Sequence, residues 1–297
     1  MQILLSPGTL WPALCQRTVE AIACGALHSI DTRQAILTDD GLDFVVRSVS
    51  SLQRKPRIPS GPGDSATLVN PFLPYEQALF VADVSTQHVA LLNKFNVMEH
   101  HLLLITREFE HQEMLLTSAD FAALWCCLQE YPALGFYNGG RIAGASQPHK
   151  HLQLVPLPLC DLPTGLPFGS TLIQGAQRTD AVGPTPLPFP HSFCSLRGMQ
   201  GRSAAEAGGL LEQRYLELLA AVRLGPAQHR GSEHRQRGPY NLLMSTEWMM
   251  VVPRSREHFH DISLNALAFV GSLFVRTDDQ LQLLQREGPI NALRAVT

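Results

Sequence analysis

The 297-residue sequence predicts an α+β fold, an antiparallel sheet with packed helices arranged in two related halves. Three observations lead there. Short runs dense in Val, Leu and Ile alternate with polar turns, as buried strands do. These runs and a segment of helical period follow a strand, strand, helix order, which reads as an antiparallel sheet packed by a helix. The chain also echoes itself: Tyr137-Asn138 precedes a strand closing on Leu154-Val155-Pro156, and Tyr240-Asn241 precedes one closing on Val251-Val252-Pro253. This is the pattern of an internal duplication.

Taken in order, residues 12–30 and 32–47 mix helical and strand signals and end in an alternating stretch, Leu42 to Val49. The Gly-, Pro- and Ser-rich run from Lys55 to Asn70 predicts a surface loop. FVADVSTQHVALLNKF and HHLLLITREF predict neighbouring strands. Ser118 is placed to cap a helix in which Phe121, Leu124, Trp125 and Leu128 fall at helical spacing, with Pro132 as its stop signal. LGFYNGG and PHKHLQLVPLP complete the first group of strands. From Leu159 to Ser203 Pro and Gly recur without a sustained period, which predicts a long loop or linker. A helix is expected over Ala204 to Leu224, then a basic loop through His229, Arg230 and Arg237, strands in YNLLMS and WMMVVPRS, and a last helix from Ile262 to Gln285. The expected organisation is a catalytic half at 1–160, a connecting segment at 161–203 and a second half at 204–297.

Apolar residues make up 45% and charged residues 16%, so most of the chain is expected to fold rather than stay disordered. A formal net charge of −3 provides no global cationic field, which argues against a duplex nucleic-acid binder. No apolar run is long enough to span a bilayer, and the opening MQILLSPGTLWPALCQR lacks a basic leader pattern, so a soluble, cytoplasmic protein is expected. The six cysteines form no CxxC pair, and no metal site is expected. Of the 23 basic residues only Lys55, Lys94 and Lys150 are lysine. In a chain that otherwise uses arginine, a retained compact ammonium suggests a point charge for a phosphate oxygen.

The most informative stretch is NGGRIAGASQPHKHLQLVPLP, residues 138–158. On a strand, His149, His151 and Gln153 share one face while Lys150, Leu152 and Leu154 share the other. The loop Gly144-Ala145-Ser146-Gln147 just before them could cradle an anion with its backbone N–H groups and the Ser146 hydroxyl. A neutral imidazole at His151 is a competent nucleophile toward phosphorus near pH 7, giving a phosphoramidate and dividing a nucleotidyl transfer into two displacements. His149 would orient or assist, and Gln153 can donate to a phosphoryl oxygen without activating water. Spacing alone also allows a metal-binding pair or two structural histidines.

GASQPHKHLQ resembles the active-site motif of the diadenosine tetraphosphate phosphorylases (ATP adenylyltransferases), in the galactose-1-phosphate uridylyltransferase branch of the histidine triad superfamily. That branch carries His-x-His-x-Gln, matched by His149, His151 and Gln153. The resemblance extends over roughly residues 40–160 and 205–275, including HLLLITREFEHQ, YNLLMSTEWMMVVPRSRE and ISLNALAFVGSLFVR. It implies a histidine-triad-like fold in both halves. The implied activity is reversible phosphorolysis of diadenosine tetraphosphate to ATP and ADP, through an adenylyl group on His151.

By the same resemblance Lys55, Asn93, Lys94, Asn138, Gly144, Ala145, Ser146 and Gln147 would hold phosphates and ribose, with Thr246 and Arg254 contributing from the second half. His101 resembles the upstream histidine that supports the triad. The zinc-site pattern of the uridylyltransferase relatives is missing, which favours adenylyl over hexose uridylyl transfer. No tightly bound cofactor is implied, and Mg2+ would come with the nucleotide. The implied partners are diadenosine tetraphosphate, ATP, ADP and inorganic phosphate, with the chain a monomer or homodimer. Transfer or hydrolysis of another dinucleotide, nucleotide-sugar or adenylylsulfate, and a silent nucleotide sensor, stay open at this point.

Overall fold

A computed structural model describes residues 1–49, 70–178, 182–225 and 234–297. The chain opens with α1 (Leu10–Ala23), β1 (Thr32–Asp39) and β2 (Leu42–Val49). It continues through β3 (Phe80–Asp83), β4 (His88–Leu92), β5 (Leu102–Thr106), α2 (Ser118–Leu128), β6 (Ala133–Gly139) and β7 (His151–Pro156). Then come α3 (Gly169–Arg178), β8 (Ser192–Ser195), α4 (Ala204–Ala221), β9 (Tyr240–Met244) and β10 (Trp248–Pro253). The short pair β11 (His258–Phe259) and β12 (Ile262–Ser263) precedes β13 (Ser272–Val275), α5 (Asp278–Glu287) and α6 (Pro289–Ala295).

Eight strands form one antiparallel sheet in the order β3-β4-β5-β7-β6-β9-β10-β8. The two halves meet inside it, where β6 pairs with β9 and Tyr137, Asn138 and Gly139 stand opposite Leu242, Asn241 and Tyr240. Side chains alternate across each strand, so the sheet separates two cores. Ala133, Tyr137, Leu152, Leu154, Tyr240 and Leu242 face α1, α2 and α4 through Leu14, Trp125 and Leu211. On the other face Leu134, Phe136, Val155, Leu243 and Val252 pack on α3, β2, β13, α5 and α6. There β1, β2 and β13 make a separate mixed sheet, with β2 antiparallel to β1 and parallel to β13. Under β4 and β5 that second face carries a smaller apolar layer of Phe72, Val89, Leu91, Leu103 and Ile105.

The α+β class and the antiparallel sheet agree with expectation, and β2 has the expected bounds. Four local differences have physical causes. The cap of α2 is Thr117 rather than Ser118: Thr117 and Asp120 close a capping box, and Ser118 would have had Phe121 at the position the box needs for an acid. The stretch from Leu159 to Ser203 is not a structureless loop, since α3 and β8 lie within it and β8 completes the sheet edge against β10. The single helix expected from Ile262 to Gln285 is instead β12, a 3-10 turn, β13 and the start of α5. Gly271 breaks it: its φ of +86° suits glycine, and a Cβ there would stand 2.5 Å from Pro167. Residues 12–30, mixed in signal, hold α1 up to Ala23. Among the described residues no helix is long and apolar enough to cross a membrane.

Candidate active site

Strand β7 starts at His151, three strands from the near edge of the sheet, with β5 on one side and β6 on the other. His151 and Gln153 project to the face opposite the helices α1, α2 and α4, beside the apolar layer that contains Phe72. The ring of Phe72 lies 5.4 Å from that of His151. His151 is 3% exposed, and its Nδ1 lies 2.7 Å from the carbonyl oxygen of His149. A carbonyl only accepts, so Nδ1 carries the proton and in the neutral ring Nε2 carries the lone pair.

His149 serves that arrangement with its backbone and is itself locked. Its Nδ1 accepts from the Asn70 amide at 2.9 Å, and the Asn70 oxygen in turn accepts from the Phe72 N–H. Its Nε2 donates to the Thr106 carbonyl at 2.9 Å. Burial, partly offset by that carbonyl, holds the imidazole below its usual pKa, so His149 is neutral.

Gln153 is oriented by a relay. The Asn93 amide donates to Nδ1 of His101 at 3.1 Å, which leaves Nε2 of His101 to donate to Oε1 of Gln153 at 3.0 Å. With its oxygen occupied, Gln153 presents its NH2 as the group available to a ligand. The resemblance assigned Asn93 to phosphate and ribose, whereas here its side chain aligns His101.

Asn138 is 3% exposed and binds protein: its side-chain oxygen accepts from Asn241 at 2.8 Å and from the Ala266 N–H at 3.0 Å. The glycine loop turns at Gly144, whose φ is +93° and where a Cβ would stand 3.1 Å from Asn265. Ala145 closes the turn through its N–H to the Gly140 carbonyl, and Ser146 is exposed beyond it with Gln147 half-buried. Arg254 clamps this loop from behind. Its guanidinium donates to the carbonyls of Ala143, Leu264, Arg256 and Val296 and to the Asn241 side chain, and lies over the Phe269 ring. Burial lowers its pKa to about 10, which still leaves it charged. The loop is therefore fixed by a cation that spends its donors on protein.

The lysines separate. Lys150 points to the helical face, where its Nζ meets Glu110 at 2.5 Å and Asp120 at 3.2 Å. Burial pushes the Asp120 carboxyl up, but the hydrogen bond from His88 and the charge of Lys150 outweigh it and hold the group at about 2. Lys150 is thus a structural cation facing away from His151. Lys94 pairs with Glu76 at 2.6 Å at the surface. Lys55 lies outside the described residues, as does the basic loop at His229 and Arg230. Thr246 sits in the turn after β9, past Met244, which pairs with Gly135 at the far end of β6. The register puts it roughly 17 Å along the sheet from the level of His151, at about 3.4 Å per residue.

Sequence reasoning identified His149, His151, Gln153, His101 and the glycine loop, and the structure joins His149 to His151 and His101 to Gln153 by hydrogen bonds. It missed Asn70, Phe72 and Thr106, which hold or flank the histidines from 43 to 79 positions away. Nothing local marks them. Among the described residues no group of three or more His, Cys, Asp or Glu is placed to hold a metal ion.

The model of the Ap4A phosphorylase N-terminal domain matches residues 1–174, and that of the ATP adenylyltransferase C-terminal domain matches residues 185–297. Protein APA1 of Saccharomyces cerevisiae is 28% identical over 212 residues, covering 64% of this chain and 61% of APA1. Diadenosine 5',5'''-P1,P4-tetraphosphate phosphorylase 2 of the same yeast is 26% identical over 238 residues, covering 72% of this chain and 70% of that protein. The crystal structure of yeast Ap4A phosphorylase Apa2 in complex with AMP superposes with a TM-score of 0.73 at 25% identity, covering 97% of each chain. With both domain models matched in order, this chain belongs to the Ap4A phosphorylase (ATP adenylyltransferase) family.

Proposed function

We propose that this protein is a nucleotidyltransferase that cleaves diadenosine tetraphosphate with inorganic phosphate to ATP and ADP. The observation that carries the reading is the Nδ1–H of His151 on the His149 carbonyl, which assigns Nε2 the role of nucleophile. Family membership agrees with it.

In the first displacement Nε2 of His151 bonds to the α-phosphorus of the dinucleotide, and the phosphorus–oxygen bond to the leaving ATP breaks. The adenylylated ring keeps its Nδ1 proton and is cationic, a charge the His149 carbonyl stabilises. The NH2 of Gln153, aligned by His101, donates to a non-bridging oxygen as charge grows there. In the second displacement a phosphate oxygen attacks the same phosphorus and the nitrogen–phosphorus bond breaks, giving ADP. Gln153 cannot take a proton from water, which favours phosphate over hydrolysis. Mg2+ enters with the polyphosphate rather than on a resident site.

Incubation of the protein with diadenosine tetraphosphate, with and without phosphate, followed by anion-exchange chromatography, tests this. ATP plus ADP, formed only with phosphate and lost in His151→Ala, is expected. ATP plus AMP without phosphate would make it a hydrolase, and no product in either tube would overturn the reading.

A further inference from the structure

The ladder between β6 and β7 pairs Ala133 with Pro156 through to Phe136 with Gln153, and stops. Continued in register it would set Asn138 against His151. The side chain of Gln112 lies there instead. Its Nε2 donates to the Asn138 carbonyl at 2.9 Å and to the His151 carbonyl at 3.3 Å, while its Oε1 accepts the His151 N–H at 2.9 Å. One amide thus holds both main-chain polar groups of the nucleophilic residue, as a neighbouring strand would. Gln112 is 2% exposed and is braced in turn: its N–H donates to the Pro148 carbonyl at 2.7 Å, and its carbonyl accepts from the Tyr137 hydroxyl.

We propose that Gln112 is a positioning residue for the transfer reaction, splinting the His151 main chain so that Nε2 keeps its line of approach to phosphorus. The inference rests on the adenylyl-His151 reading. The His149 carbonyl sets the rotation of the ring, and Gln112 sets the position of the backbone that carries it. Both are needed, because a misplacement of about 1 Å in a reacting group costs on the order of a hundredfold in rate. The role requires a side chain that donates and accepts at once. A carboxylate of the same shape accepts only, and would face two carbonyl oxygens.

The test follows the transfer of radiolabelled adenylate from ATP to the protein in a single turnover, alongside AMP affinity. It compares wild type, Gln112→Glu, Gln112→Ala and the His151→Ala blank. In Gln112→Glu the labelling rate is expected to fall about 30- to 100-fold with AMP affinity within about twofold. The ratio of this variant to wild type should rise as pH falls, because a protonated carboxyl regains a donor. Tyr137 and His151, the titratable groups in contact with Gln112, are common to both proteins. If Gln112→Ala fails to fold, the isosteric Gln112→Glu and its pH ratio decide alone. A wild-type protein that takes no label overturns the covalent reading and this proposal with it. Label at equal rates in wild type and Gln112→Glu, or a pH-independent loss shared by AMP affinity, overturns the role of Gln112 only.

Discussion

Asn241 donates its side-chain amide to the side-chain oxygen of Asn138 at 2.8 Å, across the line where β6 of the first half meets β9 of the second. The same amide donates to the Ala143 carbonyl, and the Asn241 oxygen accepts from Arg254 at 2.7 Å. A buried polar path thus joins the second half to the glycine loop of the first.

Arg254→Ala should therefore act on stability and on the loop together. It leaves several buried carbonyls without donors, for an expected loss of about 3 kcal/mol in urea unfolding. At a temperature where the variant stays folded, KM for the dinucleotide should rise more than kcat falls, if the loop holds phosphate as proposed and His151 is untouched. An unchanged KM would separate the clamp from the loop.

Gln153→Ala removes the donor proposed to meet the developing charge and should lower kcat by roughly a hundredfold, as losing one such donor does elsewhere. His101→Ala leaves Gln153 in place but frees its amide to turn, so a smaller loss, about tenfold, is expected. Steady-state kinetics of the two variants and their double variant should show strong non-additivity, since one acts through the other.

Lys150→Met tests whether this lysine is structural. Asp120 would lose its buried cation, and a stability loss of about 3–5 kcal/mol is expected by denaturant titration. Nucleotide affinity of the folded fraction should stay within about twofold, because Lys150 and His151 lie on opposite faces of β7. A large loss of affinity with unchanged stability would contradict the structure.

Two windows are expected in the dependence of stability on pH. Burial lowers the pKa of His149 and His191 below their unfolded value, so protons bind the unfolded chain more readily as pH drops through about 6.5. Stability should then fall with pH below that point and be flat above it. Asp120, held at about 2, contributes stability above its ordinary value of 3.8 that disappears as pH falls from there toward 2. Thermal unfolding across pH 2–8 should show both slopes, with Asp120→Asn removing the acidic one.

The halves are expected to be unequal in chemistry. Aligned on Pro156 and Pro253, the positions of His151 and Gln153 are filled in β10 by Trp248 and Met250, both buried in the apolar core. Mass spectrometry after reaction with ATP should find one adenylyl group per chain, on His151, and none in His151→Ala.

The legible parts of this molecule are those with a short period. Alternation placed β2, runs dense in Val, Leu and Ile placed β4 and β5, and the spacing of His149, His151 and Gln153 placed the reactive face, because all three signals are carried by near neighbours. The illegible parts depend on distant partners. ISLNALAFVGSLFVR is buried over most of its length, unbroken from Ala266 to Leu273, so its period carries little information and Gly271 decides the structure. Lys150 and Arg254 look like phosphate ligands until Asp120, 30 residues away, and the Ala143 carbonyl, 111 residues away, are brought to them by folding.

The pairing of β6 with β9 has a further consequence. Tyr137 meets Leu242, Asn138 meets Asn241 and Gly139 meets Tyr240, so exchanging each residue for its counterpart in the other half returns the same set of pairs. An antiparallel pairing of this kind is also what two identical subunits would make about a two-fold axis. Two identical subunits would have to carry the same residues on both sides of such a contact, whereas one chain is free to differ across it: β7 carries imidazole and amide where the aligned positions of β10 carry indole and thioether.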